Sequence, residues 1–132
     1  MRLKNISVSL GTSVFKSFSE ESRVRILNLI FQNGEMCISD LEQILEFTQT
    51  KTSRHITYLK NTGLLANHKR DQWVYYYIKD EFVGIISQIF GLFEKDSLLT
   101  RDIENYRTLY ANNILAIRQL HNKENKYILP EL

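Results

Sequence analysis

The sequence has little of what cross-links or interrupts a fold. Its 132 residues include one cysteine, one proline and five glycines. A single cysteine excludes an intrachain disulfide and a multi-cysteine zinc site within one chain. The scarcity of proline and a hydrophobic content of 43% argue against a disordered chain. The length predicts a single domain, residues 1 to 132, with one hydrophobic core.

Long hydrophobic runs are also missing. The most apolar stretch, residues 82 to 93, has charged residues on both sides and is shorter than the ~20 residues that a membrane span needs. It is typical of a buried helix. The first fifteen residues have neither the apolar core nor the cleavage site of a secretory signal. We therefore expect a cytoplasmic protein with no membrane partner.

Patterns typical of catalysis are missing as well. No glycine-rich loop of the kind that binds phosphate occurs, and no histidine lies at motif spacing from a nucleophile and a carboxylate. We predict a protein that is not an enzyme and that needs no cofactor.

Positive charge is concentrated in one segment, although the whole chain has a formal net charge of only +2. Residues 48 to 72 contain five basic side chains against one acidic side chain, a local net charge of +4, and the segments on either side each have a net charge of −1. Such a run often marks only a solvated face. It also fits a surface that meets nucleic acid.

Three helices are predicted before residue 63. The first begins after an N-cap at Ser19 and ends at Asn33-Gly34. The second is short and follows an apolar link, with Ser39 and Glu42 at capping-box spacing. The third is capped by Thr48, has apolar residues on one face and ends at Gly63.

The periodicity changes after Gly63. Residues 64 to 68 and 73 to 78 predict two strands of a β-hairpin, with a polar turn at residues 69 to 72. Alternation places Trp73, Tyr75 and Tyr77 on one face of the second strand. Two further helices are predicted, at residues 82 to 93 and at about 101 to 120.

This order of elements predicts a winged helix-turn-helix. The fold class is mainly α with a small β-hairpin wing, the helix-turn-helix spans residues 40 to 61, and the wing spans residues 64 to 78. In such folds the second helix of the motif enters the DNA major groove. A step of 100° per residue turns Thr50, Arg54, Thr57 and Asn61 outward, with Lys51, Ser53 and Tyr58 beside them.

These side chains suggest distinct roles at DNA. Arg54 suits bidentate contact with guanine and Gln49 suits adenine, each contributing about 1–3 kcal/mol of discrimination. Lys51, Lys69 and Arg70 suit phosphates.

Three stretches resemble the ArsR family of winged-helix repressors in order and spacing. They are SEESRVRILNLI (19 to 30), TQTKTSRHITYLKNTGLL (48 to 65) and DQWVYYYI (71 to 78). The resemblance implies a homodimeric repressor that leaves an inverted-repeat operator when an inducer binds. It implies dimer contacts near residues 10 to 18 and 82 to 94. The apolar stripe of the helix predicted after residue 100 would extend the second region to residues 82 to 120. It also implies DNA contacts by Gln49, Thr50, Ser53 and Arg54 and by the wing tip from Lys69 to Gln72.

The metal sites of that family are only partly matched. GEMCISDL (34 to 41) resembles the stretch that carries a Cys-x-Cys pair, but Cys37 has Ser39 where the second cysteine would be. The other common site needs histidines on the dimer helix, and residues 79 to 96 contain none, while His121 and Glu124 match only half of it. We predict no metal site. A metal-responsive sensor that uses Cys37 is kept as an alternative.

Several questions stay open. His55 is expected to pack within the motif and His68 to lie near phosphate. The inducer is not identified, and residues 101 to 120 could widen a dimer interface, line an inducer pocket or simply cover the core. A protein-interaction module without operator binding is the alternative from another class, and its affinity would depend on apolar rather than basic residues. Base stacking on the tyrosine-rich strand is a less favoured possibility.

Overall fold

The computed structural model describes residues 5 to 127, so the first four residues and the last five, including Pro130, lie outside it. The elements in chain order are α1 (Val8–Ser17), α2 (Glu21–Asn33), β1 (Met36–Cys37), α3 (Ile38–Leu45), α4 (Gln49–Asn61), β2 (Leu65–Arg70), β3 (Trp73–Ile78), α5 (Asp80–Gly91), α6 (Ser97–Ala111) and α7 (Ala116–Tyr127). The three strands form an antiparallel sheet in the order β1-β3-β2. The predicted class, mainly α with a small β wing, is confirmed.

One core joins the helices to the sheet. Leu27 and Ile30 of α2, Leu41 of α3, Leu59 of α4 and Tyr75 of β3 are all at most 1% exposed. Burial of each such side chain contributes about 1.5–3 kcal/mol. Because α2 contacts α4, α5, α6 and the sheet, it is the central element of the fold.

None of the helices within residues 5 to 127 is both long enough and apolar enough to cross a lipid bilayer.

Two predicted helix caps are wrong. The N-cap of α2 is Glu20, because the hydroxyl of Ser19 donates to the carbonyl of Lys16 at 2.7 Å instead. The N-cap of α3 is Cys37, so Ser39 lies inside the helix and makes no capping box with Glu42. The caps predicted for α4 are confirmed, since Thr48 Oγ1 accepts from the amide of Lys51 at 3.1 Å and Gly63 has φ +89°.

The apolar link before α3 is a strand. Met36 pairs with Tyr76 and Cys37 pairs with Tyr75, so β1 is an edge of the wing sheet. The hairpin turn is also tighter than predicted, because β2 extends to Arg70 and only two residues connect the strands. Asp71 occupies the left-handed region there, with φ 55°.

The single helix predicted for residues 101 to 120 is wrong, because the chain turns at Asn113, which has φ 60°, and α6 and α7 are separate. The side chain of Asp40, which is fully buried, accepts from the amides of Ala116 at 2.7 Å and Ile117 at 2.9 Å. This carboxylate therefore caps α7 from a distant helix. A cap of this kind leaves no mark in the local sequence of α7.

A buried ion pair fixes α6 to α2. Arg25 donates from Nε and Nη2 to the two carboxylate oxygens of Asp102, each at 2.9 Å, and Asp102 is fully buried. The bond to Asp102 raises the pKa of Arg25. The two-pronged geometry gives the carboxylate the partners that a buried charge requires.

Candidate nucleic-acid interface

The turn between α3 and α4 sets the direction of the second helix. Glu46 ends α3 with φ 58° and ψ 38°, and Thr48 starts α4 as its N-cap. Thr52 is buried, and its hydroxyl donates to the carbonyl of Thr48 at 2.8 Å. The tight turn between two packed helices is the geometry of a helix-turn-helix.

The inner face of α4 is the one that the sequence predicted, with one addition. Thr52, Ile56 and Leu59 are buried, and so is His55. His55 Nε2 lies 3.3 Å from a carboxylate oxygen of Glu20 but makes no hydrogen bond with it. Burial lowers the pKa of His55, so the ring is a neutral packing group at pH 7. Its predicted packing role is confirmed.

Arg23 of α2 packs against Tyr58 of α4. Its guanidinium lies 4.2 Å from the centre of the Tyr58 ring and donates to the carbonyls of Ser17 and Lys16 at the end of α1. The same group bonds Glu20 at 2.8 Å. This arrangement joins α1, α2 and α4 and limits the freedom of α4 to rotate about its axis.

The outer face of α4 presents most of the predicted DNA-contacting residues. Gln49, Thr50, Arg54 and Thr57 are exposed, whereas Ser53 is half-buried. No carboxylate of the described chain lies within 4.0 Å of the Arg54 guanidinium in an ion pair. Arg54 is therefore a solvated cation flanked by hydrogen-bonding side chains.

Lys51 has a more restricted position. Its ammonium lies 4.0 Å from the centre of the Phe47 ring, which belongs to the turn before α4. This cation–π contact holds the charge at the N-terminal end of the helix. The contact was not foreseen from the sequence, although Phe47 and Lys51 are separated by four residues.

The wing has one free cation and one paired cation within the described chain. Lys69 is exposed and makes no ion pair there. Arg70 lies 3.3 Å from Glu35 and 3.0 Å from Glu124 of α7. A phosphate would have to compete with these two carboxylates for Arg70. Neither Glu35 nor Glu124 is near Arg70 in the chain, so the local sequence does not predict these two ion pairs.

The rest of the wing is tied to its surroundings. His68 bonds Glu35 at 2.7 Å and its ring lies 5.2 Å from that of Tyr77. Asp71 pairs with Lys123 of α7 at 3.1 Å, and Gln72 is exposed at the tip. Tyr75 is fully buried, so this ring offers no face to a base.

Cys37 lies in a setting that suppresses thiol chemistry. It is 1% exposed, and burial together with the nearby Asp40 carboxylate raises its pKa to about 12. His121 and Glu124 have different partners, Tyr110 and Arg70, so they do not converge. Within residues 5 to 127, no three histidine, cysteine, aspartate or glutamate side chains are grouped to hold a metal ion.

Comparison with known proteins agrees with this architecture. The family model described as "Bacterial regulatory protein, arsR family" matches residues 20 to 66. The chain is 43% identical over 76 residues to the arsenic resistance transcriptional regulator ArsR2 of Pseudomonas putida, covering 58% of this chain and 66% of that protein. It is 35% identical over 75 residues to the arsenical resistance operon repressor of Bacillus subtilis, covering 56% and 71%.

A solved structure gives the same fold. The homodimeric winged helix-turn-helix DNA-binding domain of Mb0332 from Mycobacterium bovis aligns with a TM-score of 0.59 and 20% identity, covering 67% of this chain and 82% of that one. The chain spans from about half to two thirds of the length of the first curated relatives that it matches. These matches confirm the resemblance on which the sequence analysis relied, and the chain belongs to the ArsR family of bacterial regulatory proteins.

Proposed function

We propose that this protein is a homodimeric transcriptional repressor that binds an operator through α4 and the wing. One observation supports this most strongly. An ArsR-family winged helix presents an exposed arginine, Arg54, that forms no ion pair within residues 5 to 127, on the outer face of α4 among hydrogen-bonding side chains. A solvated cation on such a helix suits the major groove, where arginine pairs with guanine.

The roles of the interface residues follow from their positions. Arg54 and Gln49 read bases, and Thr50, Ser53 and Thr57 bond to base edges or the backbone beside them. Phosphates are contacted at both ends of this surface. Lys51 contacts them from the start of α4, and Lys69, Arg70 and Gln72 contact them from the wing. Arg70 contacts DNA only when a phosphate displaces the carboxylate of Glu35 or Glu124 from its guanidinium.

Dimerisation is proposed through α1 and the end of α5. Val8 is 86% exposed and Phe15 is 69% exposed on α1, while Leu92 is 83% exposed just after α5. A surface with several large, solvent-exposed apolar side chains is typical of one that another protein covers. The Mb0332 domain, which has the same fold, is homodimeric, and this supports a homodimer here. A dimer would present two copies of α4 to two half-sites.

The inducer is a separate matter. The two named relatives are an arsenic resistance regulator and an arsenical resistance repressor. Capture of arsenic or a soft metal generally needs two or three thiolates, whereas this chain has one buried thiol with a strongly raised pKa. We therefore propose an inducer that does not bind at Cys37, and a protein that acts in the cytoplasm, where its operator would lie.

The proposed function is tested by titrating purified protein into fluorescent duplexes that tile the DNA upstream of its gene. Anisotropy gives the affinity for each duplex, and stoichiometric titration gives the number of chains bound. We expect one duplex to bind far more tightly than random DNA of equal length, with two chains for each duplex. Equal affinity for every duplex and for random DNA would contradict operator binding and favour the protein-interaction module.

A further inference from the structure

A groove of about 390 Å³ lies between α2, α5 and α6. Its lining residues belong to those helices and to the loop between α5 and α6, and none of them belongs to α4 or to the wing. The volume falls within the range of about 300–1,000 Å³ that is usual for sites of small molecules. The DNA surface proposed above does not use this groove.

Phenylalanine rings form one wall of the groove. Phe31 and Phe90 are stacked with ring centres 5.5 Å apart and planes at 26°, and Phe93 lies 6.5 Å from Phe90. Leu99 and Ile103 of α6 add aliphatic surface. Such a wall favours a flat aromatic molecule, which gains offset-stacked and edge contacts as well as burial.

Asn28 supplies an unused polar group to the same groove. It is 4% exposed and lines the groove, and within residues 5 to 127 its side-chain amide has no hydrogen-bond partner although it is not sealed from solvent. Its neighbours in α2, Leu27 and Leu29, are fully buried. The amide atoms of Asn28 are not among the buried polar atoms that lack a partner, so they face the solvent of the groove. A ligand with one donor or acceptor would give this amide a partner.

The charges around the groove point to an uncharged ligand. Glu94 and Arg107 both line it, and both are exposed side chains of opposite sign. The other polar residues that line it are neutral, among them Gln32, Ser87 and Thr100. An ionic ligand would therefore gain one charge contact and meet one repulsion, and it would lose its hydration against the phenylalanine wall.

We infer that this groove binds a small uncharged aromatic molecule of one or two rings, with one polar group bonded to Asn28. Phe93 belongs both to the groove and to the exposed apolar surface at the end of α5, so the ligand would border the proposed dimer contact. The ligand would also contact α6, which connects to α7 and so to the wing. The role of this ligand as the inducer rests on the proposed function, whereas its binding does not.

Indole is a suitable probe because it is uncharged, has two fused rings and has one N–H donor. The labelled protein is titrated with indole up to about 5 mM without DNA, and amide chemical shifts are followed by NMR. We expect saturable shifts at the Asn28 side-chain amide and at Phe31, Phe90 and Ile103, with a dissociation constant of about 1 mM or below. Nuclear Overhauser effects should join the indole protons to the phenylalanine rings.

Substitution separates this site from general hydrophobic binding. Asn28→Leu keeps the number and branching of side-chain heavy atoms and removes the polar amide, so indole affinity should fall about tenfold. Asn112→Leu is the matched control at an exposed position and should bind indole as the wild type does. Shifts that never saturate, that map elsewhere, or that persist equally in Asn28→Leu would overturn the proposed site. The Overhauser contacts test it even if Asn28→Leu does not fold.

The same duplex titration with and without saturating indole tests the role as inducer. We expect DNA affinity to fall several-fold when the groove is filled. Saturable binding of indole with unchanged DNA affinity would keep the site and overturn the inducer role. Failure to bind indole together with tight operator binding would refute the groove alone. If the protein binds indole in the groove but, without indole, binds no duplex specifically, the proposed function alone would be refuted.

Discussion

Arg54, Lys69 and Arg70 are all basic, but their surroundings differ. Arg54 is exposed on α4 and Lys69 is exposed on the wing, while Arg70 is held between Glu35 and Glu124. A guanidinium free to point at a base edge can discriminate between bases, whereas an ammonium on a wing meets the uniform backbone. At the proposed interface, these differences predict separate roles for the three residues.

The Arg54→Ala and Lys69→Ala variants should therefore weaken DNA binding in different ways. Loss of Arg54 should reduce affinity for the operator by about 1–3 kcal/mol and affect random DNA much less. Loss of Lys69 should weaken both duplexes by a similar factor and make the salt dependence less steep. Anisotropy titrations of both variants on both duplexes measure this. An equal loss on both duplexes for Arg54→Ala would contradict base reading.

The Cys37 thiol should be chemically inert in the folded protein. Burial raises the pKa of the Cys37 thiol to about 12, so the thiolate is a very minor species at pH 8, and the residue is also only 1% exposed. Alkylation by iodoacetamide at pH 8, followed by mass spectrometry, should be far slower than that of a cysteine in a peptide. The same protein in urea provides the control and should react at the peptide rate. Fast alkylation of the folded protein would contradict this prediction and favour a metal-responsive sensor that uses Cys37.

Two helices of the C-terminal half begin at carboxylates that accept two backbone amides each. Asp96 is exposed and caps its own helix, α6, from the preceding residue, with bonds of 2.9 and 3.1 Å. Asp40 is fully buried and caps α7 from α3. Both caps use a carboxylate that accepts two backbone amides. Water can replace the exposed carboxylate of Asp96 but not the buried carboxylate of Asp40.

Alanine substitutions at these two caps should differ in cost. Asp96→Ala should lower the free energy of unfolding by about 1 kcal/mol, because water reaches the freed amides. Asp40→Ala should lower it by about 3 kcal/mol, because two buried amides lose their acceptor. Urea denaturation of both variants gives the values. A cost for Asp40→Ala no larger than that for Asp96→Ala would show that α7 is not held by this carboxylate.

The contact between α7 and the wing should oppose DNA binding. At the proposed interface Glu124 would compete with phosphate for Arg70, so Glu124→Ala should increase affinity for random DNA by about twofold to fivefold at low salt. Glu104→Ala removes the same charge from an exposed position of α6 and serves as the matched control. Anisotropy at low and high salt gives both effects. If Glu104→Ala increased the affinity for random DNA as much as Glu124→Ala, the effect would come from net charge and not from the contact with Arg70.

Local signals predicted some elements and missed others for physical reasons. Thr48 and Gly63 act on the backbone beside them, so their spacing was sufficient to bound α4. Ser19 and Ser39 have the right chemistry for caps, but the chain gives Ser19 a different acceptor and places Ser39 within α3. The break before α7 depends on Asp40, which is 76 residues away from Ala116. No window along the sequence contains both groups.

At the scale of the whole molecule, the order of elements was enough to predict a winged helix. The outward set on α4 was also predicted, because a helix with Thr52, Ile56 and Leu59 buried must turn Arg54 outward. The groove between α2, α5 and α6 was not, because Asn28 looks in the sequence like one more polar residue of a helix. Its meaning depends on its position in the same groove as Phe90 and Phe93, which come from a different part of the chain.

Specific, dimeric DNA binding is tested most directly by measuring affinity against salt for the tightest upstream duplex and for random DNA. The three cations proposed to bind phosphate in each chain, Lys51, Lys69 and Arg70, would give about six for a dimer, so log K should fall against log salt with a slope of about −5. The tight duplex should retain an advantage of about 10³ or more over random DNA at physiological salt. A ratio near one at every salt concentration would contradict the account.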